Sequence, residues 1–460
     1  MKAERYFILL ILGTVPLIYA SVQAWIWCWC VTAVFVVFLV AWWRGRVAFR
    51  DNGPWVIWLV YLFFGWSLFQ LLPLPGDLLG RLSPFRVSLL ENAYEMTGIS
   101  GSWSSIAYEH GLALGRWSMW LAAFLLVLLV GAACRDRRFL KALAVMLLVV
   151  GGLEALYGLV QALVPSTGVL GYDQTGLGSA RGTFINRNHF AGMIEMIWPL
   201  GLGYLLSLSP WEEKRKLKHL INSDHFNRQL LIFVVLVVML LALIFSRSRA
   251  GITGGVIGFV AFMGAAAFSG AGMRKGFWVG TGAALFLLFV YAGRMDFEAV
   301  LMRFMVIDQN VGRLDIWRDA WLILQQHPFG VGPGNYQVLE PLFQANVKAA
   351  TLSVHAHNDY LQLLVETGWP GFLLLVGGWV FLLVRGLGGL RRAFRDKGYS
   401  LRFFMGVGAW AGLVSMAFHS FFDFNLQIPS NLFYFAMLVG ILNHAIERRV
   451  VSEHETVNRQ

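Results

Sequence analysis

Apolar residues run along this chain in long blocks, not in the mixed pattern of a soluble domain. A helix needs about 20 mostly apolar residues to cross the hydrocarbon core of a bilayer. Twelve blocks approach that length: 6–22, 24–43, 54–72, 116–134, 139–164, 190–208, 229–246, 251–270, 276–292, 371–388, 403–419 and 430–446. One stretch, 230–245 (LLIFVVLVVMLLALIF), has no polar residue. The pattern predicts an all-α integral membrane protein of about twelve transmembrane helices, divided into 1–292 (nine spans with short loops), a large partly helical loop 293–370, and 371–460 (three spans and a short tail). Inside the large loop, 313–327 sets Leu314, Trp317, Trp321 and Leu324 at helical spacing, a stripe suited to the headgroup zone or the outer face of the bundle.

Composition agrees: 57% of the 460 residues are hydrophobic and 14% charged. The formal charge of +11 would suggest nucleic acid in a soluble protein, but sorting the charges by loop removes that reading. Twenty-five of the 37 basic residues fall in one alternating set of loops and in both tails. The positive-inside rule makes those segments and both termini cytoplasmic, and puts 293–370 on the outer side. Eleven of the twelve remaining basic residues are arginine. The first block also resembles a signal peptide, with Lys2 and Arg5 before it and Val22-Gln23-Ala24 near its end; cleaved or not, it leaves the later topology unchanged. Three cysteines exclude a disulfide scaffold and offer no zinc spacing.

The candidate chemistry lies on the arginine-rich side. Arg247 and Arg249 sit in SRSRAG, a short connection that pins them at the membrane surface, where guanidinium forks can hold phosphate oxygens; snorkelling onto ordinary lipid is the plain alternative. The glycines of PFGVGPGN (328–335) could expose N–H groups to phosphate, but a tight turn is the preferred reading. In SVHAHNDYLQLLVETGWPG (353–371), His357, Asn358 and Asp359 start a short helix, Gly368 ends it and Pro370 opens the next span. A histidine can take a hydroxyl proton and fixed arginines can stabilise a departing pyrophosphate, so no cofactor or metal is expected. His355-Ala356-His357-Asn358-Asp359 could instead hold a metal, or His357 could be a capping residue. Glu154 is the one clear acid inside a span, paired with an arginine or protonated.

These motifs resemble the O-antigen ligase and O-antigen polymerase superfamily. His357-Asn358, nine residues, then Gly368-Trp369-Pro370-Gly371 follow its His-Asn…Gly-x-x-Gly pattern; Ser246–Gly251 and Arg313 to Trp321 match its SRSRAG and Arg-x4-Trp-like segments. GTFINRNHFAG (182–192) and HSFFDFNLQIP (419–429) are closer to versions found in exopolysaccharide loci. The resemblance implies a metal-independent glycosyltransferase with an undecaprenyl-pyrophosphate-linked glycan as donor and a glycan or lipid A core as acceptor. It implies His357 as base, Arg249 and Arg313 on the pyrophosphate, and Arg247, Arg318 and Arg187 as further phosphate ligands. His355, Asn358, Asp359, Asn188 and His189 are candidates for sugar or acceptor contacts. A transporter or flippase of lipid-linked glycan, without transferase chemistry, is the alternative; a scaffold would leave the arginines and HAHND without a purpose.

Overall fold

Backbone polar groups in lipid must be satisfied within their own segment, which drives the apolar blocks into helices. A computed structural model describes residues 1–47, 54–98, 101, 103–171, 178–208, 224–272, 311–344 and 353–447. Among them are fifteen α-helices: α1 (Lys2–Thr14), α2 (Ala24–Trp43), α3 (Pro54–Phe69), α4 (Gly76–Leu82), α5 (Pro84–Thr97), α6 (His110–Ala133), α7 (Arg137–Leu163), α8 (Arg187–Ser207), α9 (Asp224–Phe245), α10 (Arg249–Ser269), α11 (Val311–Gln326), α12 (Tyr336–Phe343), α13 (Asp359–Lys397), α14 (Leu401–His419) and α15 (Pro429–Ile446). A two-residue antiparallel ribbon pairs Leu74–Pro75 with Trp103–Ser104.

Eight of the described helices, α2, α6 to α10, α13 and α14, are long and apolar enough to cross a membrane. The protein is thus a multi-pass membrane protein, with fewer such helices among the described residues than the twelve expected. The block 6–22 is broken: α1 stops at Thr14, and Tyr19, Ala20 and Ser21 turn through left-handed φ values of 49°, 53° and 59°. The block 54–72 gives the 16-residue α3, and 430–446 gives α15, made less apolar by Ser430, Asn431, Asn443 and His444. The block 276–292 lies outside the described residues. The block 371–388 belongs to a longer helix, α13, which is interrupted at Gly368 (φ 66°, ψ −177°). That break was expected from the sequence, and it separates a short helix starting at Asp359 from the spanning part.

Local capping explains where the helices begin. Side chains of Asp136, Asn186, Ser248, Asn358 and Ser400 accept a backbone N–H from the first turns of α7, α8, α10, α13 and α14. At the centre, α8 packs on α14 with backbones in contact: a Cβ on Gly203 would lie 2.3 Å from the Phe404 carbonyl oxygen, and one on Gly408 2.5 Å from that of Pro199. Small residues let membrane helices approach this closely. Nearly all of α8 is therefore buried in protein, whereas α2, α9 and α10 turn most of their surface outward.

At one end of the bundle, charges from the basic loops are paired. Buried Glu4 meets Arg44 at 3.0 Å and Arg46 at 2.9 Å, Arg5 meets Asp136, and Arg135 meets Glu447 at 2.8 Å. At the other end the segment between α3 and α6 packs on the large loop. Tyr108 Oη lies 2.8 Å from His327 Nε2, and Asn335 Oδ1 accepts from Glu109 N at 2.7 Å.

In α11 the tryptophan stripe is not the packed face. Leu314 and Trp321 are exposed, while Asp319, Ala320, Ile323 and Leu324 are buried. Of the four stripe positions Leu324 joins the core and Trp317 is half-buried, while the outward Trp321 suits the headgroup zone.

Candidate functional site

Between α14 and α15 the chain turns through residues 420–428, and in the middle of this turn Asp423 is fully buried. Four segments converge on its carboxylate. From the N-terminus of α8, Asn188 Nδ2 donates to Oδ2 at 2.5 Å and His189 Nε2 stands 3.6 Å from Oδ1. From the HAHND segment, His357 Nδ1 stands 3.6 Å from Oδ1; from α11, an Arg313 guanidinium nitrogen lies 4.0 Å from Oδ2. Phe424 N closes the set with a hydrogen bond to Oδ1 at 2.8 Å. Burial alone would raise the Asp423 carboxyl, but hydrogen-bonding contacts from His189 and His357 and the charge of nearby histidines outweigh it and hold it well below the usual carboxylate range. It therefore remains an anion. The neighbouring Phe424 ring carries three imidazoles: His355 stacked at 4.3 Å between centroids, and His189 and His357 edge-on at 4.6 and 4.7 Å.

His357 has φ 48°, a left-handed conformation that a non-glycine residue adopts at a cost. Its two C-terminal neighbours are held in place. Asn358 next to it caps α13 by accepting from Leu361 N at 3.0 Å. Asp359 Oδ2 accepts from Ser420 Oγ at 3.0 Å and Leu426 N at 3.1 Å, tying the start of α13 to the Asp423 turn. Among the described residues no group of three His, Cys, Asp or Glu side chains is arranged to hold a metal ion. Within HAHND the three candidate ligands go separate ways: His355 to Gln362, His357 to Asp423 and Asp359 to Ser420.

The glycine-rich segment is a turn, as preferred from the sequence. Gly330, Gly332 and Gly334 have φ values of 88°, 93° and 71°. Their N–H groups are used internally, by the His327 carbonyl, the Glu366 carbonyl and Glu366 Oε2 respectively, so they are not presented to a phosphate. A Cβ at Gly330 would sit 2.5 Å from the Glu366 carbonyl oxygen, which fixes the loop against α13.

The arginines divide. Arg313 is at Asp423. Arg247 and Arg249 flank Ser248, the cap of α10, and that turn packs on the first turns of α8: a Cβ on Gly251 would lie 2.4 Å from the Ala191 methyl. Arg187 opens α8 beside Asn188. These four therefore gather at the end of the bundle that holds Asp423. Arg318 is exposed on α11. Arg247, like His357, is a non-glycine residue with positive φ, 55°.

Sequence reasoning did not nominate Asp423 itself, although HSFFDFNLQIP had been singled out. The available signal was one acid between two aromatic residues in a short connection between two apolar blocks. Two further groups were missed. Glu195 in α8 and His419 at the end of α14 are fully buried and joined at 2.9 Å, Oε1 to Nδ1. Glu154 is no longer alone among acids in the spans. Its carboxylate accepts from Thr183 N at 2.8 Å and Thr183 Oγ1 at 2.7 Å, so it pins the loop leading into α8.

No curated protein sequence matches the chain. Residues 234–376, which carry SRSRAG, α11 and HAHND, match the family model described as O-antigen ligase; Asp423, Asn188 and His189 lie outside that range. That range holds the segments that bring His357 and Arg313 to Asp423, and the likeness supports the O-antigen ligase and polymerase superfamily.

Proposed function

We propose that the protein transfers a glycan from undecaprenyl pyrophosphate to an acceptor hydroxyl, without a metal ion, at the periplasmic face of the inner membrane. The observation that carries this reading is the convergence of His357, His189, Asn188 and Arg313 on one buried carboxylate. With Nδ1 of His357 toward Asp423, the ring proton resides on Nδ1 and Nε2 is left basic. The 3.6 Å contact is of the kind that tightens when substrate binds. In the transfer, the acceptor oxygen bonds to the anomeric carbon as its proton passes to His357 Nε2. The bond from that carbon to the phosphate oxygen breaks, and its electron pair leaves with undecaprenyl pyrophosphate. Arg313 and Arg249, with Arg247 and Arg187 nearby, neutralise that leaving charge. Water then removes the proton, since the His357 side chain is 31% exposed.

The test is reconstitution with a defined lipid-linked oligosaccharide. Product on lipid A core marks a ligase, and a lengthened lipid-linked chain marks a polymerase. Loss of product in His357→Ala with folded protein supports the base; normal product overturns it. The buried Glu195–His419 pair inside the spans favours one rival, a flippase of lipid-linked glycan. Movement of the donor across proteoliposomes without new glycosidic bonds would select it.

A further inference from the structure

Gln362 is buried one turn into α13, and its amide has three polar neighbours. Oε1 faces Ala356 N at 3.3 Å; Nε2 faces Glu366 Oε1 at 2.9 Å and His355 Nδ1 at 3.2 Å. Only one orientation of the amide fits. A backbone N–H can only donate, so the atom facing Ala356 is the oxygen; reversed, an NH2 would meet an N–H and a carbonyl oxygen would meet a carboxylate. Glu366 is held for this role, its other oxygen accepting from Gly334 N at 2.8 Å. The two hydrogens on Gln362 Nε2 are thus directed, one to Glu366 and one to His355 Nδ1. A ring nitrogen that accepts a hydrogen bond carries no proton, so neutral His355 keeps its proton on Nε2.

Neutrality follows from the surroundings. Burial, then the charge of Arg116, then that of His189, push the His355 imidazole down to about 3, and a hydrogen bond donated by Gln362 to Nδ1 favours the neutral ring as well. Stacking on Phe424 fixes the ring plane, and no described residue accepts from Nε2. We infer that His355 is a neutral hydrogen-bond donor, through Nε2–H, to an oxygen of the bound glycan substrate, and that Gln362 is the positioning residue that sets its tautomer. The assignment rests on the transferase reading, removes His355 as a rival base and leaves that task to His357.

The experiment uses the full chain in lipid nanodiscs with 15N-labelled histidine, the His355 signals being identified by their loss in His355→Gln. Without substrate, the expected state from pH 7 to pH 5 is a proton on Nε2 and none on Nδ1; a proton on Nδ1 overturns the assignment. Gln362→Glu offers an acceptor in place of the donor and moves the proton to Nδ1. Because it sets a second carboxylate beside Glu366, Gln362→Met is run with it and gives a mixture of tautomers; an unchanged Nε2–H tautomer in a folded Gln362→Met protein removes Gln362 from the role.

In transfer assays on the lipid-linked oligosaccharide, His355→Phe is expected to lose about 100-fold in turnover, as when one preorganised donor is removed. His355→Gln, whose amide can still donate, retains most of it. Equal loss in both variants overturns the donor role. Whether the donor KM or the acceptor KM moves in His355→Phe tells a pyrophosphate oxygen from a sugar hydroxyl. A wild-type protein that transfers nothing overturns the proposed function, whereas a wrong tautomer overturns only the role of His355.

Discussion

The two ends of the bundle treat charge in opposite ways. At the end made by the basic loops, acids and bases are matched: Glu4 takes Arg44 and Arg46, Arg5 takes Asp136, and Arg135 takes Glu447. At the other end one buried anion, Asp423, is shared by two histidines, an asparagine and Arg313, and two of its contacts stand at 3.6 Å, short of full hydrogen bonds. Matched pairs stabilise a fold and have little left to offer a ligand. A shared anion with loosely held partners leaves donors and a base with capacity to spare, which is what a reacting substrate requires.

The contrast can be broken most severely at its centre. Asp423→Asn is expected to lower transfer by about 10⁴-fold, because an amide no longer selects the His357 tautomer, and His357→Ala by a similar factor. Both are measured on lipid-linked oligosaccharide with protein content checked by monodispersity; substantial turnover in Asp423→Asn would reduce that carboxylate to a packing element. Next in size, Arg313→Lys and Arg249→Lys should lose about 10-fold or more in kcat/KM, since lysine lacks the bidentate fork. Exposed Arg318→Lys should lose almost nothing, and the reverse ranking would move the phosphate site along α11.

A smaller effect is expected from pH. The folded protein keeps His355 neutral down to about 3, whereas the unfolded chain takes up that proton near 6.5. The unfolded state thus binds more protons between those values, and stability falls as pH drops from about 6.5 towards 3. His355→Gln should flatten that part of the melting curve, and an unchanged slope would refute the contribution. Smallest is Glu4→Gln at the paired end, expected to cost about 1 kcal/mol of thermal stability with transfer unchanged. A fall in transfer there would mean that the two ends are coupled.

How much of this was legible in the sequence depends on what each residue had to satisfy. Spans declare themselves because lipid tolerates few polar groups, so α9 could be read at once. The Glu195–His419 pair was not legible: Glu195 is a single acid in an apolar run, His419 stands at the end of another, and only folding shows that α8 and α14 bring them together. HAHND and its helix were legible because a cap and a terminating glycine are local signals, and both occur where expected. Asp423 was not, because a lone acid in a short turn reads as solvated until three other segments arrive around it. The tryptophan stripe of α11 left two readings open, since periodicity reveals an apolar face but not whether protein or membrane surface covers it.

The left-handed backbone at His357 bears on how that position should be probed. Alanine there removes the imidazole but keeps a Cβ in a conformation that disfavours one by about 1–2 kcal/mol, so an alanine variant reports lost chemistry and retained strain together. Glycine removes the ring and accepts φ 48° without penalty. His357→Gly is therefore the cleaner vacancy, open to a small soluble base. Added imidazole should restore part of the transfer in that variant and none in Asp423→Asn, turning a backbone angle into an assay for which atom takes the proton.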